Sequence, residues 1–122
     1  MFRFLFILFL LFSSCSNSDQ QSVKYISSSE FIELSIDFEL IDVRTKSEYE
    51  SGFIENGLNI DFYNPELFMQ EIGKLDKDKS YYVYCRSGVR SANSCHLMKE
   101  LGFVNTYNLI GGILDWSGET IN

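Results

Sequence analysis

At 122 residues, 45% hydrophobic and 16% aromatic, the chain has room for one compact domain with a buried core. A formal charge of −7 and the lack of any basic stripe exclude nucleic acid as its partner, and the acidity reads as a solvated surface. Neither a glycine-rich phosphate loop nor a dinucleotide fingerprint occurs, and three cysteines with one histidine offer no ligand pair at zinc spacing, so no cofactor and no metal are expected.

In chain order, Met1-Phe2-Arg3 precedes nine apolar residues, Phe4 to Phe12. The run is too short for a spanning helix, which needs roughly 20 apolar residues, and it has the form of a secretory signal. It closes in Leu11-Phe12-Ser13-Ser14-Cys15, which resembles the bacterial lipobox, with Phe12 the poorest match. Residues 1–14 are then a signal peptide, and Cys15 is a lipidated new N-terminus followed by a polar tether that ends at residue 22. The alternative is an ordinary cleavage site with Cys15 left free or removed. On the lipoprotein reading the protein is exported to the cell envelope, periplasm-facing or on the outer membrane, and meets the membrane only through its lipid anchor.

Residues 23–118 alternate strand and helix signals with short connections, the pattern of an α/β sheet, and 119–122 form a tail. Val23 to Ile26 is the first strand, and Ser27 with Glu30 forms a capping box for a helix through about Ser35. Glu39 to Val43 follows as a strand buried on both faces, with Asp42 and Arg44 at its C-terminal end. Thr45 and Glu48 cap a short helix that Gly52 terminates. Leu58 to Phe62 is a third strand, and Asn64-Pro65 opens a helix through Ile72. Asp76 to Lys79 is a charged turn, and Tyr81 to Tyr84 a buried strand. A helix then buries Ala92, Cys95 and Met98 until Gly102 ends it. Val104 to Leu109 is the last strand, after which Gly111-Gly112 turns into a terminal helix packed by Ile113 and Trp116.

The chemistry concentrates in Cys85-Arg86-Ser87-Gly88-Val89-Arg90, between the strand Tyr81–Tyr84 and the helix after it. A strand delivers the thiol to the sheet edge, Gly88 lets the chain curl, and the free N–H groups of the next helix point back at the sulfur. Loop amides, the helix N-terminus and the charges of Arg86 and Arg90 should together lower the thiol from its ordinary pKa of about 8.5. Arg86 is placed to attract an anionic donor and Arg90 to brace the loop against Asp42. A structural ion-pair role for Asp42 and Arg44 competes with substrate contact. Cys95 reads as a small buried residue. A Cys85–Cys95 disulfide is the competing reading, but loop plus helix should hold the two Cα atoms beyond the roughly 7 Å a bridge allows.

Four segments in this order resemble the rhodanese family of single-domain sulfurtransferases: Ile41 to Arg44 with Glu48-Tyr49 and Gly52, then Gly57 to Ile60, then Cys85 to Ser91, then Gly111 to Trp116. The likeness implies a mostly parallel central sheet flanked by helices on both faces. It also implies a sulfurtransferase of thiosulfate:cyanide type that carries a sulfane sulfur as a Cys85 persulfide. A small-molecule donor and a thiol or cyanide acceptor are the implied partners, with a protein sulfur acceptor as a further candidate. The family's Gly-His-Ile-Pro-Gly-Ala-x-Asn reads here as Gly52-Phe53-Ile54-Glu55-Asn56-Gly57-Leu58-Asn59, so Phe53 stands where the histidine would be, an expected change of local packing.

Two other readings stay open. A cysteine-dependent phosphatase or arsenate reductase also uses a cysteine in an arginine-containing loop. Phosphatase loops place five residues between Cys and Arg, however, and four lie between Cys85 and Arg90. The other is a non-catalytic rhodanese-like binding or sulfur-carrier module. An ionised thiol needs no general base, which fits a chain whose single histidine, His96, reads as a surface residue.

Overall fold

Each strand of this chain is followed by a helix or turn that carries it back to the same starting edge, so the strands lie side by side in one direction. A computed structural model describes residues 22–34 and 38–122, apart from the side chains of Ser22 and Leu34. The signal peptide, Cys15 and the tether expected from the sequence therefore lie outside the described residues, except for Ser22 at the tether's end. In order come β1 (Ser22–Ile26), α1 (Ser28–Leu34), β2 (Glu39–Asp42), α2 (Lys46–Glu50), β3 (Gly57–Asn59), α3 (Pro65–Ile72), β4 (Ser80–Tyr84), α4 (Val89–Glu100) and β5 (Asn105–Leu109). A 3-10 turn, Gly112–Asp115, follows.

The sheet has the order β1-β5-β4-β2-β3, and every pair is parallel. β4 lies at its centre, between β2 and β5, with Tyr82 opposite Leu40 on one side and Tyr107 on the other. A central parallel strand is covered on both faces, which is why Tyr81 to Tyr84 are an unbroken apolar run and all buried. Alternate side chains enter two cores. Tyr81 and Val83 pack with Ile41, Phe68, Ile72, Met98 and Phe103 under α3 and α4. Tyr82 and Tyr84 pack with Leu40, Phe31, Ile54 and Leu109, where Trp116 and Ile113 also lean. Each fully buried ring or Met side chain contributes roughly 2 kcal/mol to folding.

Helix starts follow the caps. Ser27 Oγ accepts from the Glu30 amide while Glu30 Oε2 accepts from the Ser27 amide. Thr45 and Glu48 exchange the same pair of bonds at the start of α2. Asn64 caps α3, with Pro65 at its first position.

Two expectations are corrected. The third strand is Gly57–Asn59, not Leu58–Phe62. It is an edge strand, and the Asp61 carboxylate accepts from the Tyr63 amide and bends the chain away, although Ile60 and Phe62 still donate to the Asp42 and Val43 carbonyls. The terminal helix is a single 3-10 turn, because Gly111 and Gly112 both take the left-handed backbone, at φ 76° and 59°, and redirect the chain. The tail at 119–122 is tied down: Ile121 and Phe53 exchange amide–carbonyl bonds of 2.7 and 2.9 Å, and Trp116 Nε1 donates to the Glu119 carbonyl.

Candidate active site

In a parallel sheet the strand ends that lead into helices gather at one edge. β4 ends there in Cys85, β2 in Val43-Arg44 and β5 in Ile110-Gly111. The buried Cys85 Sγ accepts from the Gly88 amide at 3.1 Å and from the Ser91 hydroxyl at 3.3 Å. Gly88 caps α4 with φ 101°, a left-handed conformation, and a Cβ there would stand 3.2 Å from the Gly111 nitrogen. Glycine is thus required both for the turn and for the close approach of two loops. The Asn108 side-chain amide adds a bond to the Gly88 carbonyl at 3.2 Å.

Burial by itself pushes the Cys85 thiol up. The Ser91 hydroxyl and the amides of Ser91, Gly88 and Ser87 more than offset this and bring the thiol below its ordinary value. Directed hydrogen bonds, more than the two arginine charges expected from the sequence, lead that stabilisation. Arg86 points to solvent, and Val89, the first residue of α4, is 67% exposed. Both contribute backbone to the loop.

Arg90 does not meet Asp42. Its two terminal nitrogens reach the two oxygens of Glu48 at 2.7 and 2.9 Å, and its guanidinium lies 4.7 Å from the centre of the Tyr63 ring. Asp42 is already engaged: it accepts from the Arg44 amide at 2.9 Å and from the Arg44 guanidinium at 2.7 Å, inside the protein. The guanidinium of Arg44 also donates to the Gly52 carbonyl and lies over the Tyr84 ring. Asp42 and Arg44 therefore lock the end of β2. Asn59 completes that corner by donating to the carbonyls of Asp42 and Arg44.

Cys95 is fully buried and its thiol is pushed up to about 12 by desolvation, so it stays protonated. Both Cys85 and Cys95 are free thiols. His96 is on the surface, bonded to the Tyr25 hydroxyl at 3.0 Å. Phe53 stacks on Tyr49, with ring centres 4.2 Å apart and planes 19° apart, a packing role for the residue that replaces the family histidine. A cavity of about 390 Å³ opens on the other core, lined by Phe31, Phe38, Tyr82 and Trp116 among others, and none of the loop residues lines it.

Sequence reasoning missed Ser91 as a sulfur ligand, Glu48 as the partner of Arg90, and Asn108. Ser91 carried a signal: it lies in the first turn of the helix that follows the loop, where a hydroxyl can face back toward the strand end. Glu48 was visible only as a cap, and nothing local marked Asn108.

The pattern of the rhodanese-like domain matches residues 27–119. The chain is 41% identical over 91 residues to "Putative sulfurtransferase YtwF" of Bacillus subtilis, covering 75% of this chain and 84% of that one. It is 36% identical over 78 residues to a "Sulfurtransferase" of Allochromatium vinosum, covering 64% of this chain and 70% of that one. Among solved structures, a rhodanese-related protein from Thermoplasma volcanium superposes with a TM-score of 0.69 at 28% identity, over 80% of this chain and 97% of that one. An all-parallel sheet that delivers a cysteine into a loop of amides, matched over this length, places the chain in the rhodanese-like domain family.

Proposed function

We propose that the protein is a sulfurtransferase that carries a sulfane sulfur on Cys85. The observation that carries the reading is the Cys85 sulfur itself, held by the Gly88 amide and the Ser91 hydroxyl, which favour its thiolate against the opposing effect of burial. The thiolate attacks the outer sulfur of a donor such as thiosulfate. The sulfur–sulfur bond of the donor breaks, its electron pair leaves with sulfite, and Cys85 holds a persulfide anion. A thiophile, cyanide or a thiol, then attacks the outer sulfur and returns the Cys85 thiolate. The outer sulfur leaves as thiocyanate or as the acceptor's own persulfide; both Cys85 anions are stabilised by the same donors, and no proton has to move when the acceptor is cyanide or a thiolate. The names of the two similar sulfurtransferases support this reaction class.

The bidentate Glu48–Arg90 pair weighs against an oxyanion-cleaving enzyme. With both terminal nitrogens on the carboxylate, Arg90 keeps only its Nε–H edge for a phosphate or arsenate, and the four residues between Cys85 and Arg90 are one fewer than in a phosphatase loop. The envelope location, with a lipid on Cys15, belongs to the same proposal and is supported by the residues of the N-terminus alone.

Intact mass tests the reaction. Thiosulfate should add one sulfur to the reduced protein, cyanide should remove it, and Cys85→Ser should gain none. A folded, reduced protein that takes up no sulfur from thiosulfate would shift the reading to another donor or to a binding module.

A further inference from the structure

Two carbonyls of the cysteine loop are held from behind. The Ile113 amide donates to the Cys85 carbonyl at 2.9 Å and the Leu114 amide donates to the Arg86 carbonyl at 3.2 Å. Both donors belong to the 3-10 turn Gly112–Asp115, which reaches the loop only because Gly112 has no side chain. A Cβ at Gly112 would overlap the Arg86 carbonyl oxygen and sit 2.5 Å from the Cys85 carbonyl oxygen. In a trans peptide the carbonyl and the next N–H point in opposite directions. Pulling the Cys85 and Arg86 carbonyls toward the turn therefore turns the N–H groups of Arg86 and Ser87 away from it, and the Ser87 amide is the one that meets the sulfur.

We infer that the turn Gly112–Asp115 is a positioning element for the sulfur site: its amides set the planes of the two peptides that follow Cys85, the second of which presents the Ser87 amide. The Leu114 side chain is incidental to this role, being 61% exposed. The Ser87 amide, the far edge of the Arg86–Ser87 peptide, is one of the groups that favour the thiolate, so a rotated plane would weaken it. The Asp115 carboxylate occupies the space a side chain at Gly111 would need, and Gly111 in turn lies against Gly88. The inference rests on the reading of Cys85 as an activated thiol.

The test replaces the Ile113–Leu114 amide by an ester in the full chain, kept soluble in mild detergent. An ester oxygen cannot donate and faces the Arg86 carbonyl with a lone pair, so the plane is pushed away, while the charged groups around the loop, Arg86, Arg90, Glu48 and Asp115, are unaltered. Gly112→Ala is the second variant and Leu114→Ala the side-chain control. The readout is the pH dependence of iodoacetamide alkylation, followed on the Cys85 peptide by mass spectrometry. The ester should raise the midpoint by about one pH unit, which below the midpoint is about a tenfold slower reaction. Gly112→Ala should do the same and Leu114→Ala should not. An ester form with the wild-type midpoint would overturn the role of the turn and leave the Cys85 reading standing. A wild-type midpoint in the ordinary thiol range would overturn the Cys85 reading and this inference with it. If Gly112→Ala does not fold, the ester decides.

Discussion

Glu48 holds Arg90 through both carboxylate oxygens, at 2.7 and 2.9 Å, and so ties α2 to the start of α4 beside the cysteine loop. The Arg90 hydrogen bond, with help from the Thr45 amide and hydroxyl, brings the Glu48 carboxyl down to about 2. A depressed carboxylate contributes stability above its unfolded value of 4.5, and that contribution disappears as pH falls toward about 2. Glu48→Gln should therefore lose about 1–2 kcal/mol at pH 7. In urea unfolding the gap between wild type and variant should stay constant above about pH 5.5 and close between there and pH 2. A gap that does not change with pH would show that the pair is held by packing instead of charge.

Ser91 donates to the Cys85 sulfur at 3.3 Å from a buried position. Ser91→Ala should raise the alkylation midpoint of Cys85 by roughly half to one pH unit and slow sulfur uptake at pH 7 severalfold. The fold should hold, because the lost atom is small and its site is close to the backbone. An unmoved midpoint would mean that the amides of Ser87, Gly88 and Ser91 suffice.

Gly88→Ala should be costly for two reasons at once. The left-handed backbone at φ 101° costs a side chain roughly 1–3 kcal/mol, and the new Cβ meets the Gly111 nitrogen at 3.2 Å. Relieving either moves the Gly88 amide off the sulfur. Thermal melting and persulfide formation should both decline, whereas Ser87→Ala, on an exposed side chain of the same loop, should change neither appreciably.

Phe53 joins two features, its ring on Tyr49 and its backbone on Ile121. Phe53→His should leave the rate of sulfur transfer unchanged and alter stability by less than about 1 kcal/mol, since the imidazole keeps a flat face for Tyr49. Removing residues 119–122 should cost more, about 1–2 kcal/mol, through the loss of two backbone bonds and the Trp116 bond to Glu119. Urea unfolding followed by fluorescence of Trp116 measures both. A deletion without effect would show that the Ile121 bridge is too open to solvent to matter.

Much of the site was legible locally. The buried run before Cys85, the glycine three residues after it and the helix that follows are consecutive in the chain, so their geometry depends on strand period, glycine freedom and helix polarity. The capping pairs Ser27–Glu30 and Thr45–Glu48 were legible for the same reason, since each lies within one helical turn. The third strand was misplaced because an edge strand buries only part of its surface, and its apolar pattern continues past the point where Asp61 bends the chain.

What the residues determine by themselves is therefore the α/β alternation, the helix starts and a thiol set against amides at a strand end. The tertiary structure decides who meets whom. Arg90 could have faced Asp42 or Glu48, and the choice follows from Asp42 being closed off by its own neighbour Arg44, at 2.7 Å, before any distant cation arrives. The Gly112 turn supports the cysteine loop because β5 lies beside β4 in the sheet, although 26 residues separate Gly112 from Arg86. Contacts of that separation depend on strand order and on how closely two backbones can approach, and neither is written in the local pattern of hydrophobicity.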